Sequence, residues 1–277
     1  MNDRKLTNLV YDGFREFLEQ ACGIVLGDNK HYLVSSRLNR LIEKYGFASY
    51  SELLDQLRIN KYPGLQESVI NAMTTNETLW FRDQYPFDIA QHVIFPEYAK
   101  LKNRPFRIWS AACSSGQEPY SLSILVQEYM TKNPGSFTAG VQIIATDISS
   151  SMLQECHQGI YDIAVLSRGL SDERKKKFLI ERGHQWEVKP EIKNRVEFKY
   201  LNLQNSYIGL GKFDVIFCRN VLIYFSSEFK QNILNRMGEV LNPEGYLMLG
   251  SSETPNRYTD IYGMLRTSQG VVYQKIE

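Results

Sequence analysis

FRIWSAACSSGQEPYSLSILVQEYM, residues 106–130, joins a buried strand, a loop of small residues and a helix start in direct succession. Ile108 and Trp109, followed by small side chains, suit a strand covered on both faces. Ser114, Ser115 and Gly116 then leave room for the backbone to approach a bound molecule. Pro119 suits the first helical position, where a missing N–H is no loss, which makes Glu118 the expected N-cap and aims its carboxylate at the same space. Downstream, the apolar run VQIIAT ends at Asp147. That puts a second carboxylate at the C-terminal end of a neighbouring strand, where open α/β sheets bind ligands and an acid can accept from two ribose hydroxyls.

Outward from this stretch, strands alternate with helices, the pattern of a parallel sheet with covered faces. The strand candidates are FRIWSA, VQIIAT, VEFKYLNL, FDVIFCRNV, GYLMLGS and GVVYQKI, with helices after Glu118, after Ser149 and over 228–241. The last strand follows too closely for another crossover helix, so it is expected to enter antiparallel. Residues 159–195 interrupt the rhythm with a charged helix, SDERKKKFLIERG, and an antiparallel pair around QWEVKPEI, which reads as an inserted subdomain. Upstream, helical periodicity predicts helices over 6–21, 30–45, 49–59 and 63–73, the second burying Leu38, Leu41, Ile42 and Tyr45. A further helix is expected over 88–101. The reading is an N-terminal helical domain over 1–80, a linker and connecting helix over 81–105, and a sheet domain over 106–277 with its insert at about 160–195.

Composition narrows the function classes. A net charge of +1 over 277 residues argues against an extended nucleic-acid surface, so no nucleic-acid partner is expected. Cys22, Cys113, Cys156 and Cys218 form no C-x-x-C pair, and His31, His92, His157 and His184 are dispersed; reduced thiols and no metal site follow. No apolar run is long enough for a membrane helix, and the chain reads as cytoplasmic, without membrane insertion.

Three ligand-facing strand ends stand together: residues 113–118, Asp147, and CRNVLIYF at 218–225. Neither G-x-G-x-x-G nor G-x-x-x-x-G-K-[ST] occurs at the first strand, and Glu118 would repel a pyrophosphate. A cationic, phosphate-free nucleoside fits better, and S-adenosylmethionine offers a sulfonium, an amino group and ribose hydroxyls. The fourth strand lacks the Asn/Asp-Pro-Pro-Tyr/Phe loop of many amino-group methyltransferases. Arg82, beside Trp80 and Phe81, instead supplies a cation and an aromatic wall. A planar guanidinium suits a carboxylate acceptor, which needs no general base.

TTNETLWFR, IWSAACSSGQEPYS, ATDIS, QGIY, FDVIFCRNVLIYF and LMLGSSE, in this order and spacing, resemble the bacterial chemotaxis receptor glutamate methyltransferases of the CheR type over nearly the whole chain. The resemblance implies a Rossmann-like class I S-adenosylmethionine-dependent methyltransferase sheet of the α/β class. An N-terminal all-helical domain and a small inserted antiparallel β subdomain complete it. It implies methyl transfer to glutamates in the cytoplasmic methylation-helix region of methyl-accepting chemotaxis receptors, with S-adenosylhomocysteine as product and association with membrane receptor arrays. By position, Asn76, Thr78 and Arg82 line the cofactor from the linker, Glu118 holds its amino end and Asp147 its ribose. Asn202 and Leu203 lie on the adenine side, and Arg219, Asn220 and Val221 approach from the fourth strand. Arg82 and Tyr224 come nearest to methyl transfer, and Arg37, Arg40 and Lys44 meet the receptor. Two departures, Glu77 and Gln117, remove none of these positions, and the short GHQWEVKPEI segment argues against tethering by a receptor C-terminal peptide.

Plainer readings compete. Glu118 and Asp147 can each serve as helix caps, Arg82 can pair with Asp83 or Asp88, and Trp80, Phe81 and Tyr224 can be packing residues. The run 172–177 reads as a solvated helix. A methyltransferase for another carboxylate, or a non-catalytic module that binds S-adenosylmethionine or S-adenosylhomocysteine and signals, are the alternatives.

Overall fold

Helix periodicity and capping shape the front of the chain in the computed structural model, which describes residues 5–276; residues 1–4 and 277 of the expected domains lie outside it. Thr7 caps α1 (Asn8–Cys22) by accepting from Val10 N–H, and Ser49 caps α3 (Tyr50–Ile59) by accepting from Glu52 N–H. With α2 (His31–Tyr45) and α4 (Leu65–Met73) they enclose a core that includes Phe14, Leu18, Val34, Leu38, Ile42, Leu53 and Val69. Each such side chain contributes about 1.5–3 kcal/mol of transfer free energy. Leu41 and Tyr45, expected in the α2 stripe, are only half-buried, because the stripe runs through Val34 instead.

A connecting helix runs from α5 (Tyr85–Ile89) through one π-helical turn at Ala90–Ile94 into α6 (Phe95–Tyr98). The chain then enters β1 (Phe106–Ala111), α7 (Gln117–Lys132), β2 (Val141–Asp147) and α8 (Ser150–Gln158). Next comes the insert: β3 (Ile160–Asp162), α9 (Ile163–Leu166), α10 (Asp172–Phe178), β4 (Leu179–Arg182), β5 (Gln185–Val188) and α11 (Pro190–Lys193). The main sheet resumes with β6 (Val196–Tyr200), β7 (Phe213–Cys218), α12 (Ser227–Val240), β8 (Leu241–Leu249), β9 (Tyr262–Arg266) and β10 (Val271–Lys275).

The seven-stranded sheet has the order β6-β2-β1-β7-β8-β10-β9; its first five strands are parallel, and β10 runs antiparallel to both β8 and β9. This is the expected α/β architecture, including the antiparallel final strand. β9 was not among the strand candidates. β1 has β2 on one side and β7 on the other, so chain order reverses there and a crevice opens beyond the strand ends. The insert forms a separate antiparallel sheet, β3-β5-β4, rather than a simple pair. Pro190, Glu191 and Ile192 are helical, not extended, because proline presets the first turn of α11. LIER leaves the expected charged helix for a strand, pairing Leu179 with Val188 and Glu181 with Trp186.

Far from the crevice, buried Asp214 on β7 receives a fork from Arg104 at 2.7 and 2.6 Å, Arg107 N–H at 2.9 Å and Asn242 Nδ2 at 2.7 Å. Asp214→Ala should therefore lower stability by about 2–3 kcal/mol, since it orphans these donors at once. A wild-type urea midpoint for that variant would refute the estimate.

Candidate functional site

A cavity of about 320 Å³ lies beyond the C-terminal ends of β1, β2 and β7. Its roof comes from the helical unit, through Cys22, Ile24, Leu26, Lys30, Leu33 and Arg37. The two units are tied by Val25 N–H to Tyr224 O at 2.9 Å, Asn202 Nδ2 to Ala21 O at 2.8 Å, and Gln204 Nε2 to Glu19 O at 3.1 Å.

The floor is the loop after β1. Ala112, Ser114 and Gly116 have φ of 56°, 50° and 93°, a left-handed path that turns backbone toward the cavity. At Gly116 a Cβ would crowd both Cys156 Sγ and the Tyr161 hydroxyl at 3.0 Å, and the φ of 93° strains any side chain, so both space and backbone favour glycine. Six of the nine non-glycine residues with left-handed φ among those described are Ala112, Ser114, Asn220, Phe81, Asp83 and Gln84. Each costs about 1–3 kcal/mol; Ala112, Ser114 and Asn220 line the cavity directly, and Phe81, Asp83 and Gln84 flank Arg82, which reaches it.

The acids are held from several directions. Asp147 is buried and accepts from Ser114 N–H at 2.7 Å and Ser149 N–H at 2.8 Å, with lone pairs left over for a ligand. Glu118 accepts from the Ser110 hydroxyl at 2.8 Å and pairs with Arg219 at 2.9 Å. Glu118 is not the N-cap: Gly116 precedes the helix, Gln117 begins it, and Pro119 is tolerated because first-turn N–H groups have no intrahelical partner. Arg219, whose side chain is 1% exposed, also binds Asp83 and the Arg82 carbonyl, both at 2.8 Å. Asp83 thus pairs with Arg219, while Arg82 donates to Glu77 O at 3.1 Å.

All the proposed cofactor residues line this one cavity: Asn76, Thr78, Arg82, Glu118, Asp147, Asn202, Leu203, Arg219, Asn220 and Val221; so does Tyr224. Trp80 and Phe81 do not form its wall as expected. They are buried in the core beside the sheet, and Tyr224 and Phe225 supply the aromatic lining. Arg37 is turned inward, donating to Met73 O at 2.7 Å, Thr74 O at 3.0 Å and Thr75 Oγ at 3.0 Å, whereas Arg40 and Lys44 are exposed. Lys30 was not anticipated and also lines the cavity. Burial pushes the Cys22 thiol up to about 11 and those of Cys113 and Cys218 well up, so none is poised as a nucleophile.

Sequence reading passed over the role of Glu253. Its buried carboxylate accepts from Asn220 N–H and Gly250 N–H at 2.8 Å each, and from Val221 N–H at 3.1 Å and Leu222 N–H at 2.8 Å. It thereby fixes the turn after β7.

Residues 10–74 match the CheR methyltransferase all-alpha domain, and residues 76–271 match the CheR methyltransferase SAM binding domain. The chain belongs to the CheR methyltransferase family. Chemotaxis protein methyltransferase Cher2 of Pseudomonas putida is 51% identical over 271 residues, covering 96% of this chain and 98% of its own. Chemotaxis protein methyltransferase 1 of Pseudomonas aeruginosa is 53% identical over 269 residues, with coverage of 96% and 98%. The chemotaxis protein methyltransferase of Vibrio parahaemolyticus is 50% identical over 265 residues, with coverage of 95% and 96%.

The cavity of this CheR-family chain suits S-adenosylmethionine. Buried Asp147 retains acceptor capacity for hydroxyls, Glu118 faces the same space, and Arg219 Nε is buried without a hydrogen-bond partner at its edge. Among the described residues, no group of three or more His, Cys, Asp or Glu side chains is arranged to hold a metal ion.

Proposed function

We propose that this protein transfers the methyl group of S-adenosylmethionine to glutamate carboxylates in the methylation helices of chemotaxis receptors, leaving glutamate methyl esters and S-adenosylhomocysteine. The observation that carries this reading is one cavity lined by both the acids Glu118 and Asp147 and the guanidinium of Arg82. Relatives at about half identity are named chemotaxis protein methyltransferases, which supports the receptor as acceptor.

Asp147 accepts from the ribose hydroxyls, Glu118 from the amino end, and Asn202 and Leu203 flank the adenine. Asn76, Thr78, Asn220 and Val221 close the walls. When bound, S-adenosylmethionine supplies an electrophilic methyl group on a sulfonium, and its transfer to a carboxylate oxygen moves no proton. Arg82 holds the acceptor carboxylate through its planar fork, and Tyr224 lines the same space. Enclosure between two folding units excludes water and strengthens these charge interactions. Exposed Arg40 and Lys44 attract the acidic receptor helices, while Arg37 fixes the linker and lines the cavity. Methyl-labelled S-adenosylmethionine with receptor cytoplasmic fragments should give base-labile esters on glutamates, located by mass spectrometry. Label that is bound but reaches no receptor would contradict the proposal.

Burial raises the Asp147 pKa above the ordinary carboxylate range, against the pull of the Ser149, Ser114 and Ile148 N–H groups. Only the ionised form accepts fully from two hydroxyls. Affinity for S-adenosylhomocysteine should therefore fall as pH drops through this raised value, at a higher pH than an ordinary aspartate would dictate. Stability moves the other way: the folded state holds this proton more tightly, so the contribution is full in acid and is lost as pH rises through the folded pKa. Calorimetric titrations across the acid range check the affinity, and Asp147→Asn should flatten the profile. A flat wild-type profile removes Asp147 from the ribose site.

A further inference from the structure

The turn that carries Arg82 is clamped from two sides. From the turn after β7, Arg219 binds the Arg82 carbonyl and Asp83, both at 2.8 Å. From the insert, Arg168 O accepts from Trp80 N–H at 3.2 Å. Gly169, with φ of 104°, lies so close that a Cβ would stand 1.9 Å from Trp80 O. Beyond it, Arg174 of α10 lays its guanidinium 3.8 Å from the centre of the Phe81 ring. Its Nε and Nη2 meanwhile fork onto Glu128 of α7, each at 2.9 Å. Arg174 is therefore not part of a merely solvated helix. It is 22% exposed, and it fastens the insert to both α7 and the linker.

Phe81, Asp83 and Gln84 all have left-handed φ, a path that persists only when its surroundings over-determine it. Phe81 N–H donates to Ser121 Oγ at 3.0 Å from one side, and the Arg174 guanidinium stacks on the ring from another. A stacked planar guanidinium that is also forked to a carboxylate has little freedom of its own, which makes it an effective stop.

We propose that Arg174 is a positioning residue for methyl transfer: stacked on Phe81 and forked onto Glu128, it locks the strained turn from which Arg82 reaches the cavity. This rests on the proposed function for its activity readout and on the geometry of the turn for its structural one. The inserted subdomain thereby sets the aim of Arg82 without touching the reacting groups.

The test uses Arg174→Met, which keeps the apolar stem, and Arg174→Lys, which keeps the charge but not the planar fork. Methylation of a receptor cytoplasmic fragment should show kcat reduced about 10- to 100-fold in Arg174→Met, with S-adenosylhomocysteine affinity within about threefold of wild type, because only aim is lost. Arg174→Lys should recover part of the rate. Hydrogen exchange should accelerate at residues 79–84 and stay unchanged at 111–115. A kcat within twofold of wild type, an equal loss of S-adenosylhomocysteine affinity, or unaltered exchange at 79–84 would each overturn the lock. A wild-type protein that methylates no receptor would remove the proposed function instead, and the exchange result would still decide the lock.

Discussion

Arg82→Ala should reduce receptor methylation by about 100- to 1,000-fold, a barrier increase of about 3–4 kcal/mol. The fold and most of the affinity for S-adenosylhomocysteine should survive. The turn holding this residue is fastened through backbone and neighbours: Arg219 binds the Arg82 carbonyl, and Phe81 N–H reaches Ser121. The Arg82 side chain itself makes a hydrogen bond to Glu77 O at 3.1 Å and lines the cavity. Truncation thus removes the fork without dismantling its support. Lysine at this position keeps a charge but not bidentate geometry, so Arg82→Lys should remain far below wild type. Single-turnover rates with saturating donor, beside calorimetry with S-adenosylhomocysteine, separate the two effects. Unchanged turnover in Arg82→Ala would end its assignment as the group that holds the acceptor.

Glu253→Ala should cost about 3–5 kcal/mol of stability and lower turnover of the molecules that remain folded. Four backbone N–H groups, at Asn220, Val221, Leu222 and Gly250, converge on one carboxylate. Removing it orphans all four, and water entering the gap can recover only part of the loss. Glu253→Gln is no milder in kind. Each carboxylate oxygen accepts from two of these groups, so an amide must turn its NH₂ toward two donors. Asn220, at φ 57°, depends on this clamp, and its neighbour Arg219 depends on that turn to reach Glu118. Unfolding midpoints and turnover per folded molecule provide the measurements; a Glu253→Gln protein with the wild-type midpoint would show that the clamp is dispensable.

Local patterns made the sheet readable. VQIIAT and, apart from the paired Asp214, FDVIFC are mainly apolar because both faces are covered, and small residues after FRIWSA marked the loop that carries the floor. β9 escaped because YGMLR at an edge buries only Tyr262 and owes its strand state to pairing with β10. Partnerships across long stretches of chain were invisible for the same reason. No spacing rule joins Glu253 to residues 220–222, Arg174 to Phe81, or Arg219 to Glu118; these pairs meet only once sheet, insert and linker have packed together. Glu118 as N-cap was a local inference from proline, and the left-handed Gly116 displaced it by setting the turn earlier.

Floor and ceiling of the chamber belong to different folding units, joined along a short seam at Ile24 and Phe225 and a few side-chain bonds. A nucleoside enclosed there acts as a rivet between them, adding stability that rises with the logarithm of its concentration. The folded state is therefore more stable wherever that nucleoside, donor or product, is abundant, and less stable where it is scarce.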